Sequence, residues 1–487
     1  MATRAFAGFP APFLRAAPDS HADPVQQLIW GDFVRFLGEE QGEWTKVRGR
    51  NRNGWIRRDE LQTEQLLEVN FVDIGQGDGA FIVTPDDKFL LIDAGLGDNM
   101  YRFLSWRFNL PREAGHPIVF EKAVISHSDQ DHYLGFDKLF ESPDFKFDSV
   151  YHNGIVERAG PAGDALGPRT VASDGKRYLT DIVVDDQDLR SRLNDESFFK
   201  GKRYPTMLKG AADTGKVTEY RALSAADKFI PGYEEGHDLR IEVCGPVREM
   251  VNGAPAMRWF DNVAKTKNGH SVVLRLVYKD VRILLGGDLN MPSENYLLGH
   301  YSGRDPESDD EQELEAIVAS TRPVFEADIA KACHHGSAEF TELFLRATNP
   351  IATVISSGDE ESYAHPRPDA LGATGKYGRG QRPLIFSTEL ARSTREFAKN
   401  MIGLDERISV LEQAVRDADT PEEKDRAQAA LNRTLRNVAV YGLINLRTDG
   451  ERVLMAYKLE SPAPSGREWD TYRLVPDETG ALTYLVD

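Results

Sequence analysis

The chain has 487 residues, 40% of them hydrophobic and 28% charged, which excludes a disordered protein and allows two or three folded domains. Its formal net charge of −19 repels phosphate backbones at long range, so extended duplex binding is not expected, although bound metal ions could reverse the local sign. No apolar stretch reaches the length of a membrane span, and two cysteines give no disulfide framework; we therefore expect a cytoplasmic protein without a membrane segment.

The N-terminal part is predicted to form a lead-in and a small β-barrel. Residues 1–25 are rich in Ala and Pro and lack the continuous apolar region of a secretory signal, which predicts a flexible lead-in. Short alternating runs between Gly and Asn turns predict a small all-β barrel over 26–62. The order of Trp, Gly and apolar residues there resembles a bacterial Src-homology-3-type domain. Its Trp30, Trp44 and Trp55 either line a ligand groove or form the barrel core, and we expect the core.

A second domain is predicted over 67–487, beginning with buried strands. The apolar runs Leu67 to Val72 and Phe89 to Ile92 are the first two. A third run, 123–126, ends at His127-Ser128-Asp129-Gln130-Asp131-His132, which places four ligand-type side chains in six residues. Because alternate residues of an extended loop point the same way, His127 and Asp129 can hold one ion while Asp131 and His132 turn toward a second.

A long polar segment, 155–240, interrupts this domain. It is irregular and rich in Gly, Asp and Lys. An insertion of this length is predicted to be a polar cover that shapes substrate access; the alternative is a mobile surface loop. Leu239 to Val243 then returns to strand.

Two later strand ends deliver more ligand-type residues. The runs Val272 to Tyr278 and Val281 to Leu285, joined by Lys279-Asp280, predict a hairpin that is followed by Asp288. The pair His334-His335 follows the run 330–333. Three strand ends that bring His and Asp to one edge are what a dinuclear hydrolase requires; the alternative is that these are ordinary polar loops.

Residues 392–436 predict a helical hairpin inserted before the last strands. Its first helix has apolar residues at intervals of three and four: Met401, Leu404, Ile408, Leu411 and Val415. Thr420-Pro421-Glu422-Glu423 is typical of a helix start. The apolar stripe either pairs two subunits into a homodimer or packs on its own domain, and we expect the latter.

These motifs, in this order, resemble the metallo-β-lactamase fold. His127-x-Asp129-x-Asp131-His132 resembles the signature H-x-H-x-D-H with Asp in place of the second His, a variant similar to the soluble hydrolase domain of the competence protein ComEC. Further matches cover about 67–390: residues 67–80, Leu90-Leu91-Ile92-Asp93-Ala94-Gly95, residues 268–274, Gly287-Asp288 and His334-His335-Gly336-Ser337. The resemblance implies an α+β fold, an αββα sandwich preceded by the small barrel and interrupted by the helical hairpin.

The resemblance also implies two divalent ions, zinc or manganese. Their expected ligands are His127, Asp129, Asp131, His132, Asp288 and His334, with Asp288 bridging both ions and Asp131 also taking a catalytic role. Asp129, a harder donor than His, favours Mn²⁺. His335 is expected to be a neighbour rather than a ligand, because adjacent strand residues face opposite ways. Asp93 is expected to orient the metal loop.

Two positions of the site stay open at this stage. Zinc enzymes of the fold carry a His before the Asp288 hairpin, where this chain has Asn268, and His270 could substitute for it. His365, in a His-Pro element, is predicted to be catalytic, donating a proton to a leaving oxygen or holding a phosphate. The alternative is a loop His ordered by the adjacent prolines.

The leading functional hypothesis is a metal-dependent hydrolase, a phosphodiesterase or a nuclease acting on single-stranded or small nucleotide substrates. Nucleic acid is thus a possible substrate. A second class is a small-molecule hydrolase that cleaves a phosphocholine ester or a lactone. A third is a binding or scaffold protein with a vestigial metal site.

Overall fold

The structure, a computed structural model, describes residues 4–111, 115–358, 363–388, 403–439, 442–459 and 463–486. Two large β-sheets lie face to face, and helices cover the outer face of each. This order of layers is the αββα sandwich of the predicted α+β fold. The α-helices of the described residues are Asn99–Phe108, Gln130–Tyr133, Gly135–Glu141, Asp186–Leu193, Glu196–Phe199, Arg203–Asp213, Val263–Gly269, Met291–Ser302, Glu311–Phe325, Glu342–Thr348, Pro368–Tyr377, Leu404–Arg416 and Pro421–Ala439.

The first sheet, called the large sheet, positions the metal loop, residues 127–132. Its strands in spatial order are Val217–Ala222, Phe145–His152, Ile118–Ile125, Phe89–Ile92, Ala80–Val83, Leu67–Phe71, Ile444–Thr448, Val453–Lys458, Trp469–Pro476 and Leu482–Leu485. Phe89–Ile92 and Ile118–Ile125 are parallel, so Asp93 and the metal loop leave the sheet at the same edge.

The second sheet brings Asp288 and the His334-His335 pair to that edge. Its strands in spatial order are Leu239–Gly245, Val273–Tyr278, Val281–Leu285, Ile329–Lys331, Ala352–Ile355 and Leu384–Ser387. The predicted hairpin at Lys279-Asp280 is present, and Val281–Leu285 runs parallel to Ile329–Lys331. The ends of these two strands therefore lie side by side.

Alternation along the strands explains why their sequences are apolar throughout. In Phe89–Ile92, Leu90 packs between the two sheets, whereas Leu91 packs beneath the outer helices. Neighbouring strand residues point to opposite faces, and here both faces are covered. The continuous apolar runs that predicted buried strands follow from this arrangement.

The N-terminal region differs from the predicted flexible lead-in of residues 1–25. Seven short strands form one sheet, in the order Pro24–Gln27, Phe13–Arg15, Arg52–Arg57, Trp44–Gly49, Phe33–Gln41, Ala5–Ala7 and Leu61–Gln62. Three of its strands thus begin before residue 26. Ala5, Ala7 and Leu14 are buried in its core, where small side chains suffice, and this is why an Ala-rich sequence is ordered there.

The polar segment 155–240 is not the irregular cover that the sequence predicts. It contains helices, and its last strand, Val217–Ala222, forms the edge of the large sheet. Leu189, Tyr204, Leu208 and Tyr220 are buried within it, and their wide spacing among polar residues hides the pattern. A four-stranded small sheet also draws on this segment, in the order Arg169–Val171, Arg177–Leu179, Ala254–Arg258 and Glu249–Val251.

Two antiparallel-packed helices, Leu404–Arg416 and Pro421–Ala439, lie where the helical hairpin is predicted; residues 392–402, including Met401, fall outside the described residues. Thr420 and Glu423 form the predicted reciprocal cap, with each backbone N–H donating to the other's side chain at 3.2 Å. Their buried apolar side chains pack against Trp106 of the same chain, so this stripe is not free for the homodimer considered above. Among the described helices, none has the length and apolar character that crossing a membrane requires.

Candidate metal centre

Four strand ends meet around one carboxylate, that of Asp288. The imidazole Nε2 atoms of His132 and His335 both lie 3.2 Å from Asp288 Oδ2. The Nε2 atoms of His334 and His127 lie 3.9 and 4.0 Å from the same oxygen. The structure therefore brings both histidines of the metal loop and both of the later pair to the residue predicted to bridge two ions.

One group of side chains within this cluster could hold an ion. Ligand atoms of Asp131, His132, Asp288 and His335 all lie within 4.8 Å of one another. This group is called the ion position below. It contains three of the predicted ligands, together with His335 in the place expected for His334.

His335 does not face away from the site, as the alternation of strand residues would require; its ring belongs to the ion position. His334 and His335 lie in a single 3-10 turn, Cys333–Gly336, with φ of 48° and 56°. In this left-handed conformation the alternation of a strand no longer applies, so both rings reach the same site. His335 is buried, and its Nδ1 lies 3.1 Å from the carbonyl oxygen of Ser356, which fixes the ring with Nε2 toward Asp288.

Asp93 orients the metal loop, as expected from the sequence. Its Oδ2 lies 2.8 Å from His132 Nδ1, and its Oδ1 accepts a hydrogen bond of 2.7 Å from the backbone N–H of Ser126. A carboxylate on one imidazole nitrogen directs the other nitrogen toward a metal.

Gly77 and Asp78 bring a second loop against the metal loop. A Cβ at Gly77 would lie 1.7 Å from the carbonyl oxygen of Asp131, and the φ of +105° also favours glycine. This close approach lets Asp78 reach the centre, where it forms an ion pair with buried Lys331 and lies 3.2 Å from His335 Nδ1. Lys331 Nζ in turn lies 3.8 Å from Asp288 Oδ1.

The first metal position, expected at His127 and Asp129, has a different environment. Asp129 forms an ion pair with Lys267, and its Oδ2 lies 3.7 Å from His127 Nε2. Asn268 also contacts Asp129, whereas His270 does not reach the site. His270 is buried with its Nε2 2.7 Å from the carbonyl oxygen of Arg258, and burial lowers its pKa to about 4.

The charges of the cluster favour ionised carboxylates. Although burial opposes ionisation of Asp129, His127 and Lys267 lower its pKa to about 2. Burial also opposes charge on Asp288, yet His132, His335 and His334 hold its pKa well below the usual range. Burial lowers the pKa of His132, but the carboxylates of Asp288 and Asp93 raise it more strongly. The pKa of His132 therefore lies well above its usual value.

The unpartnered atoms of this cluster fit a divalent ion. Among the described residues, Nε2 of His127, His132 and His335 and Oδ1 of Asp288 are buried without a hydrogen bond. Buried polar atoms in proteins are almost always partnered, so a group of four around one point is an environment that suits a bound ion. Carboxylate oxygens and imidazole nitrogens together suit Zn²⁺ or Mn²⁺.

His365 lies over the outer side of the centre. Its ring centroid is 5.5 Å from that of His334 and 6.3 Å from that of His335. Tyr363 stacks on the same ring at 5.9 Å and is exposed. The predicted catalytic position of His365 at the mouth of the site is compatible with these contacts.

Sequence reasoning missed Asp78, Lys267 and Lys331 as parts of the centre. Asp78 lies within residues 67–80, which resemble the family's opening motif. The glycine before it, Gly77, indicated that another part of the chain packs closely there. Lys331 closes an otherwise apolar strand, and a lone charge in such a run indicates a buried partner. Lys267 carried no signal, because its partner Asp129 is distant in the sequence.

Comparisons with known proteins agree with the geometry. Residues 75–358 match the Metallo-beta-lactamase superfamily, which covers more than half of the chain. The chain is also similar to ComE operon protein 3 of Bacillus subtilis (strain 168), with 24% identity over 318 residues. That match covers 62% of this chain and 30% of the Bacillus protein. With a family match across all four strand ends of the site, the chain belongs to the metallo-β-lactamase superfamily.

Proposed function

We propose that this protein is a metal-dependent hydrolase of phosphodiester bonds. The observation that carries the proposal is the donor set of the ion position, two carboxylates from Asp131 and Asp288 and two imidazoles from His132 and His335. Carboxylate-rich sets select hard ions, which bind phosphoryl oxygens well.

Residues of this chain can supply the remaining parts of the reaction. A divalent ion at this position supplies Lewis-acid stabilisation of a phosphoryl oxygen and lowers the pKa of water. Asp131, partly exposed, can orient an attacking water, and Gln76 Nε2 lies 3.5 Å from its Oδ2. His365, at the mouth, can donate a proton to the leaving oxygen.

Short or flexible substrates fit this protein better than duplex DNA. The net charge of −19 repels a long polyanion. Glu157 of the polar segment lies beside the metal loop, because it forms an ion pair at 3.3 Å with Lys267, whose Nζ also lies 3.4 Å from the carbonyl oxygen of Ser128. We expect single-stranded or small nucleotide diesters to enter this mouth more readily than a duplex.

A ligand groove made of tryptophans is not favoured. Trp30 is buried in the core shared with the large sheet, and its indole donates to Gln62 Oε1 at 2.6 Å. Trp44 is also buried. A purely binding role therefore has no open aromatic surface at these two residues.

A substrate panel tests the proposal. Protein loaded with Mn²⁺ is assayed on bis-p-nitrophenyl phosphate, single-stranded DNA, plasmid DNA, p-nitrophenyl phosphocholine and a lactone. We expect activity on the first two, and loss of at least about 100-fold in Asp288→Ala, because that carboxylate is central to the ion position.

Asp280→Ala is the matched control, since Asp280 is an exposed aspartate in the turn of the same hairpin. It should keep full activity. Cleavage of the lactone or the phosphocholine ester alone would replace the phosphodiesterase proposal with the small-molecule hydrolase. Lack of activity on every substrate, with bound metal, would favour a vestigial site.

A further inference from the structure

Both carboxylate oxygens of Asp129 are already engaged by one helix, Val263–Gly269. The ammonium group of Lys267 forms an ion pair with Oδ1 of Asp129. The next residue is Asn268. With its amide assigned in the orientation that suits its neighbours, its nitrogen donates to Oδ2 of Asp129 at 2.8 Å and to the carbonyl oxygen of Ala264 at 3.1 Å. Asp129 is the residue that stands where the metallo-β-lactamase signature has its second His.

The contacts of Lys267 fix its ammonium in this place. Besides Asp129, Nζ lies 3.3 Å from Glu157 Oε1 and 3.4 Å from the carbonyl oxygen of Ser128. Its side chain is mostly buried, and an ammonium group has three hydrogens to donate. All three have acceptors here, so Lys267 acts as a fixed positive charge rather than as a free ligand for substrate.

The two predicted metal positions therefore differ in what they offer an ion. At the ion position, Nε2 of His132 and of His335 are buried without hydrogen bonds within the described residues. At the first position, Asp129 has donors on both oxygens, and the ammonium of Lys267 contacts one of them directly, where it would repel a second divalent cation. At the ion position, the ammonium of Lys331 pairs instead with Asp78 and stays 3.8 Å from Asp288 Oδ1. Of the two residues expected at the first position, His127 and Asp129, His127 has a nitrogen without a hydrogen bond among the described residues. That nitrogen, Nε2, lies 4.0 Å from Asp288 Oδ2.

We propose that this protein binds one divalent ion per chain, at Asp131, His132, Asp288 and His335, and that Lys267 with Asn268 closes the first metal position. The inference rests on the proposed metal-dependent function, and it replaces the two ions predicted from the sequence with one. Lys267 then supplies beside Asp129 the positive charge that a second ion would otherwise bring. Lys267 is a positioning residue, because it holds Asp129 and the metal loop without touching substrate.

Metal stoichiometry tests this directly in the full chain. Protein stripped with a chelator is equilibrated with excess Mn²⁺, freed of unbound metal by gel filtration and measured by elemental analysis. We expect one Mn²⁺ per wild-type chain. The double variant Lys267→Met and Asn268→His removes the ammonium, frees Asp129 and supplies an imidazole; we expect it to bind two.

Electron paramagnetic resonance gives a second readout that does not depend on activity. The wild-type protein should show the spectrum of isolated Mn²⁺, and the double variant should show that of a spin-coupled pair. Lys265→Met is the matched control, because Lys265 lies on the same helix and pairs instead with Glu339 at 3.5 Å. It should keep one ion.

The outcomes separate this inference from the proposed function. Two ions in the wild-type protein would overturn the inference and leave the metal-dependent hydrolase intact. No bound Mn²⁺ in the wild-type protein, with Zn²⁺ also failing to bind, would overturn both. If the double variant folds and still binds one ion, Lys267 and Asn268 are not what closes the first position; the single variant Asn268→His repeats the measurement should the double variant not fold.

Discussion

Buried charges occur in two regions of this molecule, and the two are balanced differently. At the junction between the N-terminal sheet and the large sheet, Arg447 lies 2.9 Å from Asp32 and 3.6 Å from Glu68. Arg50 also forms an ion pair with Asp32. Two carboxylates here face three guanidinium groups, because Arg107 also lies 3.3 Å from Glu68. Burial opposes charge on Asp32, but Arg50 and Arg447 lower its pKa to about 2.

The metal centre has no such balance. Its carboxylates are Asp78, Asp93, Asp129, Asp131 and Asp288, and in the described residues the lysines paired with them are Lys267 and Lys331. With Glu157, which also pairs with Lys267, six carboxylates against two ammonium groups leave four negative charges for imidazoles and a metal ion to compensate. The comparison teaches that a buried charge network that satisfies itself is structural, whereas one with excess charge and unpartnered nitrogens is built for a ligand.

Arg447→Met should have the largest effect on stability. It leaves Asp32 and Glu68 buried with one partner fewer, and breaking a buried pair typically costs about 3–5 kcal/mol. Urea unfolding followed by tryptophan fluorescence measures the loss. Metal content should stay at the wild-type value, because the contacts of Arg447 with described residues are all at the junction.

Arg35→Met is the control for this change, since Arg35 is an exposed arginine on the N-terminal sheet. It should shift stability by less than about 0.5 kcal/mol. A loss of bound metal in folded Arg447→Met would show that the junction and the centre are coupled, and the comparison would then fail.

Removing the metal should have the next largest effect. A ligand that binds only the folded state stabilises it by about 2.7 kcal/mol when its free concentration is about 100 times Kd. Chelation should lower the unfolding midpoint accordingly. The same decrease is expected in Arg447→Met, because the two regions share no residue and independent effects add. Equal midpoints with and without metal would contradict a resident ion.

The strand ends of the site could be predicted from the sequence because a buried strand and the polar residues that follow it are neighbours in the chain. Apolar runs followed by His or Asp predicted where the metal loop and Asp288 lie, and parallel strands bring such ends together. His335 was misplaced because its left-handed φ cannot be read from an apolar run. Likewise Lys267 meets Asp129 only through the tertiary fold.

Regions with weak patterns were the ones mispredicted. The lead-in contains Ala5 and Ala7, which are buried although alanine gives little apolar signal. In the segment 155–240, buried residues such as Tyr204 and Tyr220 are separated by charged ones. These residues are held in place by packing against the large sheet, and such packing leaves no regular spacing of apolar residues in the sequence.

Glu294 offers a third way of compensating a buried carboxyl group, by a proton. It lies on the helix Met291–Ser302, fully buried, and burial raises its pKa to about 8 although its Oε2 accepts a hydrogen bond from the N–H of Thr341 at 2.5 Å. Among the described residues, this carboxyl group has neither an arginine partner, as at the junction, nor a set of metal ligands around it. Glu294 should therefore be neutral in the folded protein at pH 7.

Glu294→Gln should have the smallest of these effects at pH 5, and its effect should grow as the pH rises. Below the ordinary carboxyl pKa of about 4.5, both folded and unfolded chains keep the proton, so the substitution changes little. Between there and about 8 the unfolded chain ionises while the folded chain does not, so wild-type stability falls as pH rises and then levels off above about 8. Gln cannot ionise, so its stability relative to the wild-type protein should increase between pH 5 and pH 8 by on the order of 3 kcal/mol. Urea midpoints across this range, with exposed Glu307→Gln as the control, measure it. A gain that is the same at every pH would mean that Glu294 is ionised in the folded protein and has a cationic partner, as the carboxylates of the junction do.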